Sequence, residues 1–362
     1  MDSYIVNQYR PDHVSPPGET LKELLRDRHL TQSELADRMG RPKKTISEII
    51  NGKSAITTDT ALQLEMVLGV PAEFWNAREI QYREYLARLE QARSLAEHQE
   101  WAKQFPLKRM ADLGMVKKVK EPDQQVYNLL QFLGVNSPSQ WDRVFDGYNV
   151  AFRKSTASDV DTCALGAWLR AGEIKAQNMH PASYDEHTFR SCLDEVRSLT
   201  SLAVQDFKPA LESLCAQSGV AVALVPQLPK SRVSGATRWL SPDHALIQLS
   251  LRYKTNDHFW FSFFHEAAHV LFHGKRMIFL ESDVAEGERE QEANQWASDF
   301  LIPPHVFNEL RHWPRYPRKD INTLAKQLGI APGIIVGRLQ HEKLLPFTHC
   351  NELKIRLNWS AP

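Results

Sequence analysis

Between Thr20 and Gly69 the apolar residues recur at helical spacing and are interrupted by strong stop signals. Leu21, Leu24 and Leu25 give one apolar face. Thr31-Gln-Ser-Glu34 reads as a capping box, in which the Thr31 hydroxyl and the Glu34 carboxylate satisfy amide donors at a helix start. Leu35, Ala36 and Met39 line the inner side of that helix before Gly40 closes it. Pro42 suits the first position of the next helix, whose stripe is Ile46, Ile49 and Ile50, and Asn51-Gly52 ends it. Two short helices around a glycine-containing turn predict a helix-turn-helix. Its second helix can enter the major groove of double-stranded DNA.

The patterning downstream predicts the rest of the architecture. From Ile80 to Phe105, Tyr82, Tyr85, Leu86, Leu89 and Leu95 break a charged stretch at roughly helical spacing. That fits a connecting or dimerising helix, and equally a linker helix packed on its own domain. Lys117-Lys-Val-Lys-Glu-Pro-Asp123 is polar and contains proline, so a boundary is expected there. The division read from the sequence is a helix-turn-helix domain over 1–78, a connecting helix and linker over 79–123, and a second domain over 124–362 with a C-terminal helical portion.

After a helical region to about Ser218, Gly219-Val-Ala-Val-Ala-Leu-Val225 reads as a buried strand, with Ala236 to Leu240 and Ala245 to Leu251 as sheet partners. The last of these, if exposed, would hold an extended peptide by main-chain hydrogen bonds. Alternatively, the three strands form a structural sheet with no exposed edge. From Asp320 to Leu345 the chain repeats helix, glycine, helix, through Leu324, Ala325, Leu328, Gly329, Ile334, Ile335 and Leu339. Its less basic face favours a cover for the second domain's core over a further winged-helix-like unit. The fold class is mainly α with a small β-sheet, that is, α+β.

Candidate chemistry is concentrated in Phe263-Phe264-His265-Glu266-Ala267-Ala268-His269, an H-E-x-x-H pattern inside an apolar, helix-compatible run. Residues four apart share a helix face, so His265 and His269 can each present a nitrogen to one zinc ion at about 2.0–2.1 Å. Glu266 beside them would take a proton from zinc-bound water and pass it to a leaving amine. A His₂Glu site needs a further carboxylate. About twenty residues on, Ala293, Trp296, Ala297, Phe300 and Leu301 form a buried helical stripe. Glu290 lies roughly 50° from its centre, Glu292 roughly 110°, and Glu288 nearly opposite, which makes Glu290 the third ligand. Asn294, one turn beyond, either orients a ligand histidine or is an ordinary surface amide. His273, just before Gly274, suits the negative end of a helix and needs no metal there; His258 is ambiguous.

Near the N-terminus, Arg41, Lys43, Lys44 and Lys53 stand against one acidic residue, Glu48. Lys43, Lys44 and Thr45 are the candidate base or phosphate contacts, Ser47 offers a further hydrogen-bonding group, and Gln32 is positioned to hold a phosphate. Protein-binding modules also use helix pairs of this kind.

Composition narrows these readings. With 362 residues, 42% of them hydrophobic, the chain can form two or three cores. Its net charge is zero, so DNA affinity must be local and would gain from two copies on a two-fold operator; a homodimer is expected. No apolar run approaches the ~20 residues of a membrane span, and Met1 to Arg10 lacks the order of a signal peptide. A cytoplasmic location follows as an expectation. Cys163, Cys192, Cys215 and Cys350 form no CxxC pair, which fits reduced thiols.

The stretch from Pro17-Gly-Glu through Thr31-Gln-Ser-Glu-Leu-Ala and Thr45-Ile-Ser-Glu-Ile-Ile-Asn-Gly-Lys53 to Phe74-Trp75 is similar to XRE-type repressors, in particular the HigA-like antitoxin group. Glu48 and Arg41-Pro42 depart from the residues often found there, so operator preference does not carry over. The H-E-x-x-H run followed by Glu290, Ala293-Asn294, Trp296-Ala297 and Phe300-Leu301-Ile302-Pro303 resembles the ImmA/IrrE family of zinc metallopeptidases. Trp296 stands where that family often has phenylalanine. The resemblance extends upstream to about Tyr127, through Gly235-Ala-Thr-Arg-Trp239 and Ile247-Gln-Leu-Ser-Leu-Arg252. It implies a gluzincin-like domain with His265, His269 and Glu290 as ligands and Glu266 as acid and base.

Two functions are compatible with these readings. One is a DNA-binding regulator whose zinc endopeptidase cleaves a regulatory protein or the chain itself. The other is an antitoxin-like repressor whose second domain senses a ligand or holds a toxin without proteolysis.

Overall fold

Punctuation in the N-terminal sequence becomes helix ends in the computed structural model, which describes residues 13–145, 160–250, 252–274, 279–281 and 287–358. The first ten residues, read above for a signal peptide, and Leu251, the expected end of a strand, lie outside the described residues. The chain divides into two compact units, Met1–Glu97 and His98–Pro362.

The first unit comprises α1 (Pro17–Asp27), α2 (Gln32–Met39), α3 (Lys43–Ile50), α4 (Thr58–Leu68) and α5 (Ala72–Ala96). The capping box at α2 is complete: Glu34 N–H donates to Thr31 Oγ1 at 3.2 Å, and Thr31 N–H donates to Glu34 Oε2 at 2.8 Å. Gly40 ends the helix in the left-handed region, at φ 64°, which glycine adopts at little steric cost. Pro42 is the N-cap of α3 rather than its first residue. Leu21, Leu35, Ile46, Leu64, Leu68 and Trp75 are completely buried together. Each such apolar side chain contributes about 1.5–3 kcal/mol relative to exposure. Gly18 lets α1 approach α3 closely, since a Cβ there would lie 2.2 Å from the Ile49 carbonyl oxygen.

Helix α5 is continuous through residue 78, the boundary expected from sequence. Glu79 is buried on it, accepting from Ile56 N–H at 3.0 Å and pairing with Arg83 at 2.6 Å, so this part of the helix belongs to the first unit.

The second unit begins with α6 (Gln99–Ala102), α7 (Leu107–Asp112), α8 (Pro122–Leu133), α9 (Thr162–Gln177), α10 (Glu186–Ser198) and α11 (Val204–Gln217). Strands β1 (Val220–Leu224), β2 (Gly235–Ser241) and β3 (His244–Leu249) follow, then α12 (Asn256–Phe272), β4 (Phe279–Glu281), α13 (Glu288–Leu301), α14 (Pro304–Arg311), α15 (Arg318–Leu328) and α16 (Pro332–His341). The sheet order is β1-β3-β2-β4, with β1 and β3 parallel and β2 antiparallel to both β3 and β4.

This order decides between the two readings of the strand that leads into α12: β3 has neighbours on both sides and offers no open edge, and β1 and the short β4 border the sheet. Three residues are too few to carry a period-two signal, so the sequence pattern did not reveal β4.

Helix α12 is buried around nearly its whole circumference, as expected for a central core helix. Phe259, Trp260, Phe263, Phe264 and Ala267 pack with β1 and β3 residues and with Ile334, Ile335 and Leu339 of α16. The C-terminal helix pair therefore shares the core of the second unit. Arg197 closes two helix ends nearby: its guanidinium donates to the carbonyls of Phe300 and Leu301 at 2.9 and 2.8 Å, and to that of Leu328 at 2.7 Å. The thiols are free, yet Cys192 and Cys215, distant in sequence, bring their sulfurs to 4.0 Å.

Candidate functional site

Two adjacent helices bring the metal candidates together. On α12, His265 and His269 face the same way, one turn apart, and each is 1% exposed. Glu290 lies in the first turn of α13, where a carboxylate is favoured by the positive end of the helix. The three nitrogen and oxygen atoms form a small triangle. His265 Nε2 and His269 Nε2 are 3.0 Å apart, Glu290 Oε2 is 3.1 Å from His265 Nε2, and Glu290 Oε1 is 3.5 Å from His269 Nε2. Among the described residues these three form the one cluster whose ligand atoms converge in this way, all within 4.8 Å of one another. Tetrahedral zinc with bonds of about 2.0–2.1 Å separates its ligand atoms by about 3.3 Å, so the donor set fits that ion in type and spacing.

The protonation states also suit a cation. Burial pushes His269 down to about 4, leaving its imidazole neutral at pH 7. Burial acts to raise Glu290, but its contacts with the His265 and His269 rings outweigh it and hold the carboxyl at about 2, so it is ionised.

Glu266, which follows His265 on α12, is completely buried, its carboxylate lying against Gly235 of β2. Its backbone carbonyl accepts from Thr237 Oγ1 at 3.0 Å, which ties α12 to β2 at this residue. Asn294 Oδ1 lies 2.9 Å from His265 Nδ1. Glu288, by contrast, is exposed in the first turn of α13. His258 stacks on Tyr253, with ring centroids 4.4 Å apart, and takes no part in the cluster.

Sequence reasoning missed two neighbours. His273 was assigned only to the helix end, yet its Nδ1 is 2.7 Å from His269 Nδ1 and its Nε2 is 3.3 Å from Glu292 Oε2. The i, i+4 spacing of His269 and His273 was the available signal. Phe279 of β4 stacks on the His269 ring at 4.1 Å, a contact with no local sequence signal.

In the first unit, Gln32 opens α2, and Lys43, Lys44 and Thr45 form the first turn of α3. Both lysines are exposed, and Lys44 lies 3.7 Å from Glu48 one turn on. Ser47 accepts at Oγ from Asn51 Nδ2 at 3.3 Å, so part of its hydrogen-bonding capacity is used internally. Arg41 is anchored to α4, donating from Nε to Gln63 Oε1 at 2.6 Å and pairing with Asp59.

Comparisons with known proteins match two separate stretches of the chain. Residues 21–75 match the Helix-turn-helix family model, and residues 225–340 match that of the IrrE N-terminal-like domain. Among solved structures, the chain is similar to an addiction module antidote protein of a HigA family from Coxiella burnetii, at 29% identity over 24% of this chain and 94% of that one, with a TM-score of 0.22. It is also similar to the antitoxin GraA, at 23% identity over 22% and 87%, with a TM-score of 0.22. No curated protein matches the chain. Among the described residues no helix is long and apolar enough to cross a membrane. By these matches the chain carries a segment of XRE-type helix-turn-helix character over 21–75 and an IrrE-like segment of the M78 peptidase type over 225–340.

Proposed function

We propose that the chain is a DNA-binding transcriptional regulator whose second unit is a zinc-dependent endopeptidase acting on a regulatory protein or on the chain itself. The observation that carries this reading is the convergence of His265, His269 and Glu290, with a buried carboxylate, Glu266, next to His265 on the same helix. Three protein ligands leave a fourth position for reactant, and a purely structural site has no use for the adjacent carboxylate. A zinc ion held there would polarise a peptide carbonyl and acidify a water molecule.

The chain's own residues do the rest. Glu266 accepts the proton of the attacking water and returns it to the departing amine. Thr237 ties the Glu266 backbone to β2, and the close approach of Gly235 leaves room for its carboxylate. Asn294 accepts from the Nδ1–H of His265, leaving Nε2 of that ring as the ligand atom.

In the first unit, Lys43, Lys44 and Thr45 would meet bases or phosphates of an operator, with Ser47 one turn further along α3, while Gln32 holds a phosphate at the start of α2. Zero net charge provides no general attraction to DNA, so a homodimer on a two-fold site supplies the affinity.

Glu266→Gln tests the enzymatic reading. The variant should keep its metal, lose cleavage and hold its target gene in one regulatory state. Normal regulation by a metal-loaded Glu266→Gln protein would instead indicate an antitoxin-like repressor that senses a ligand or holds a partner without proteolysis.

A further inference from the structure

His273 and Glu292 have no part in the reaction just described, yet they connect directly to it. His273 closes α12, with its side chain 3% exposed. Phe279 stacks on His269, with centroids 4.1 Å apart and planes at 16°, and tilts against His273 at 5.1 Å, so one aromatic face holds both imidazoles. Glu292 lies on the exposed side of α13, with Oε2 3.3 Å from His273 Nε2.

The direction of these hydrogen bonds follows from the ligand role of His269. Two imidazole nitrogens 2.7 Å apart share a single proton. If His269 Nε2 gives its lone pair to a metal ion, the ring's proton must sit on Nδ1. That N–H then donates to His273 Nδ1, which places the proton of His273 on Nε2, where it donates to Glu292. The reverse direction would put a proton on His269 Nε2 and remove a ligand. An ionised carboxylate only accepts, so Glu292 at the far end favours the productive direction.

We infer that Glu292 and His273 form a positioning relay that fixes His269 in the tautomer and ring orientation needed for metal binding, as Asn294 does for His265. The two ligand histidines would thus be oriented by different chemistry: a side-chain amide for one, a second imidazole backed by a carboxylate for the other. This inference rests on the metal-site reading proposed above.

The test measures zinc affinity of the full chain by competition with a chromophoric chelator, together with the visible spectrum of the cobalt(II)-loaded protein. His273→Leu keeps much of the bulk and removes the acceptor; it should weaken zinc binding 10–100-fold and alter the cobalt bands. His273→Asn places an oxygen close to where Nδ1 stands and should restore affinity to within a few-fold of the parent, with the parental spectrum. Glu292→Leu, at the exposed end, should lose less than His273→Leu.

Failure of the parent to bind zinc would overturn the metal-site reading and the relay together. Parental affinity in His273→Leu would overturn the relay alone. Equal losses in the leucine and asparagine variants, with near-ultraviolet circular dichroism unchanged, would assign His273 to packing and also overturn it. Parental affinity in Glu292→Leu would remove Glu292 from the relay.

Discussion

Gly235 of β2 passes so close to Glu266 that a Cβ added there would stand 2.5 Å from Oε1 and 2.8 Å from Cγ. The space for the proposed proton carrier therefore depends on the absence of a side chain at residue 235. Gly235→Ala should displace the Glu266 carboxylate while leaving His265, His269 and Glu290 in place. The expected result is cleavage slowed on the order of 100-fold with metal content unchanged. Full cleavage by this variant would mean that the position of Glu266 is not critical.

DNA binding separates residues that share a charge. Lys43→Ala and Lys44→Ala should each weaken binding to any DNA sequence and reduce the salt dependence of affinity by about one ion. Arg41 is held by Gln63 and Asp59, so Arg41→Ala should lower the stability of the first unit and leave the salt slope nearly as it was. Titrations at several salt concentrations, paired with thermal melts, distinguish these outcomes.

The capping box gives a pH dependence with a definite sign. Hydrogen bonds from the Thr31 backbone and hydroxyl hold the Glu34 carboxyl below its ordinary value of 4.5. A carboxyl lowered on folding contributes stability above the unfolded-state value, and that contribution is lost as pH falls through the folded-state value. The melting temperature of the first unit in the full chain should therefore drop below about pH 4.5 less steeply in Glu34→Gln than in the parent. Identical slopes would show that the capping box does not govern acid stability.

Arg197 makes a prediction about the second unit. Its three bonds reach carbonyls at the ends of α13 and α15, which have no helical partner of their own. Arg197→Leu should destabilise that unit by about 3 kcal/mol, read as a shift in the denaturant midpoint. Metal binding should weaken in parallel, since α13 carries Glu290.

How much of this was legible in the sequence depends on how local each signal is. The capping box at Thr31, the glycine stop at residue 40 and the His265–His269 spacing are determined within a few residues, and the structure shows each of them. Helical phase points to Glu290 over Glu288 and Glu292, and it is Glu290 whose carboxylate lies with the two imidazoles; its role as a ligand stays a proposal. The division of the chain was less legible, because a polar stretch at 117–123 resembles a linker whether or not it joins two bodies, whereas the burial of Glu79 against Ile56 is a tertiary fact. Strand β4 was too short to read. The pairing of His273 with His269 is visible in the sequence as i, i+4, but a histidine at a helix end is equally accounted for by the dipole, and its partner Glu292 lies on another helix.

The most direct test of the central claim, that His265, His269 and Glu290 hold a catalytic zinc ion, is the metal content of the purified chain by elemental analysis, alongside Glu290→Ala. The expected result is about one zinc per chain in the parent and a weakened, readily chelated ion in the variant. A parent that stays free of zinc under metal-replete conditions would contradict it and leave a helix-turn-helix protein whose second unit works without that chemistry.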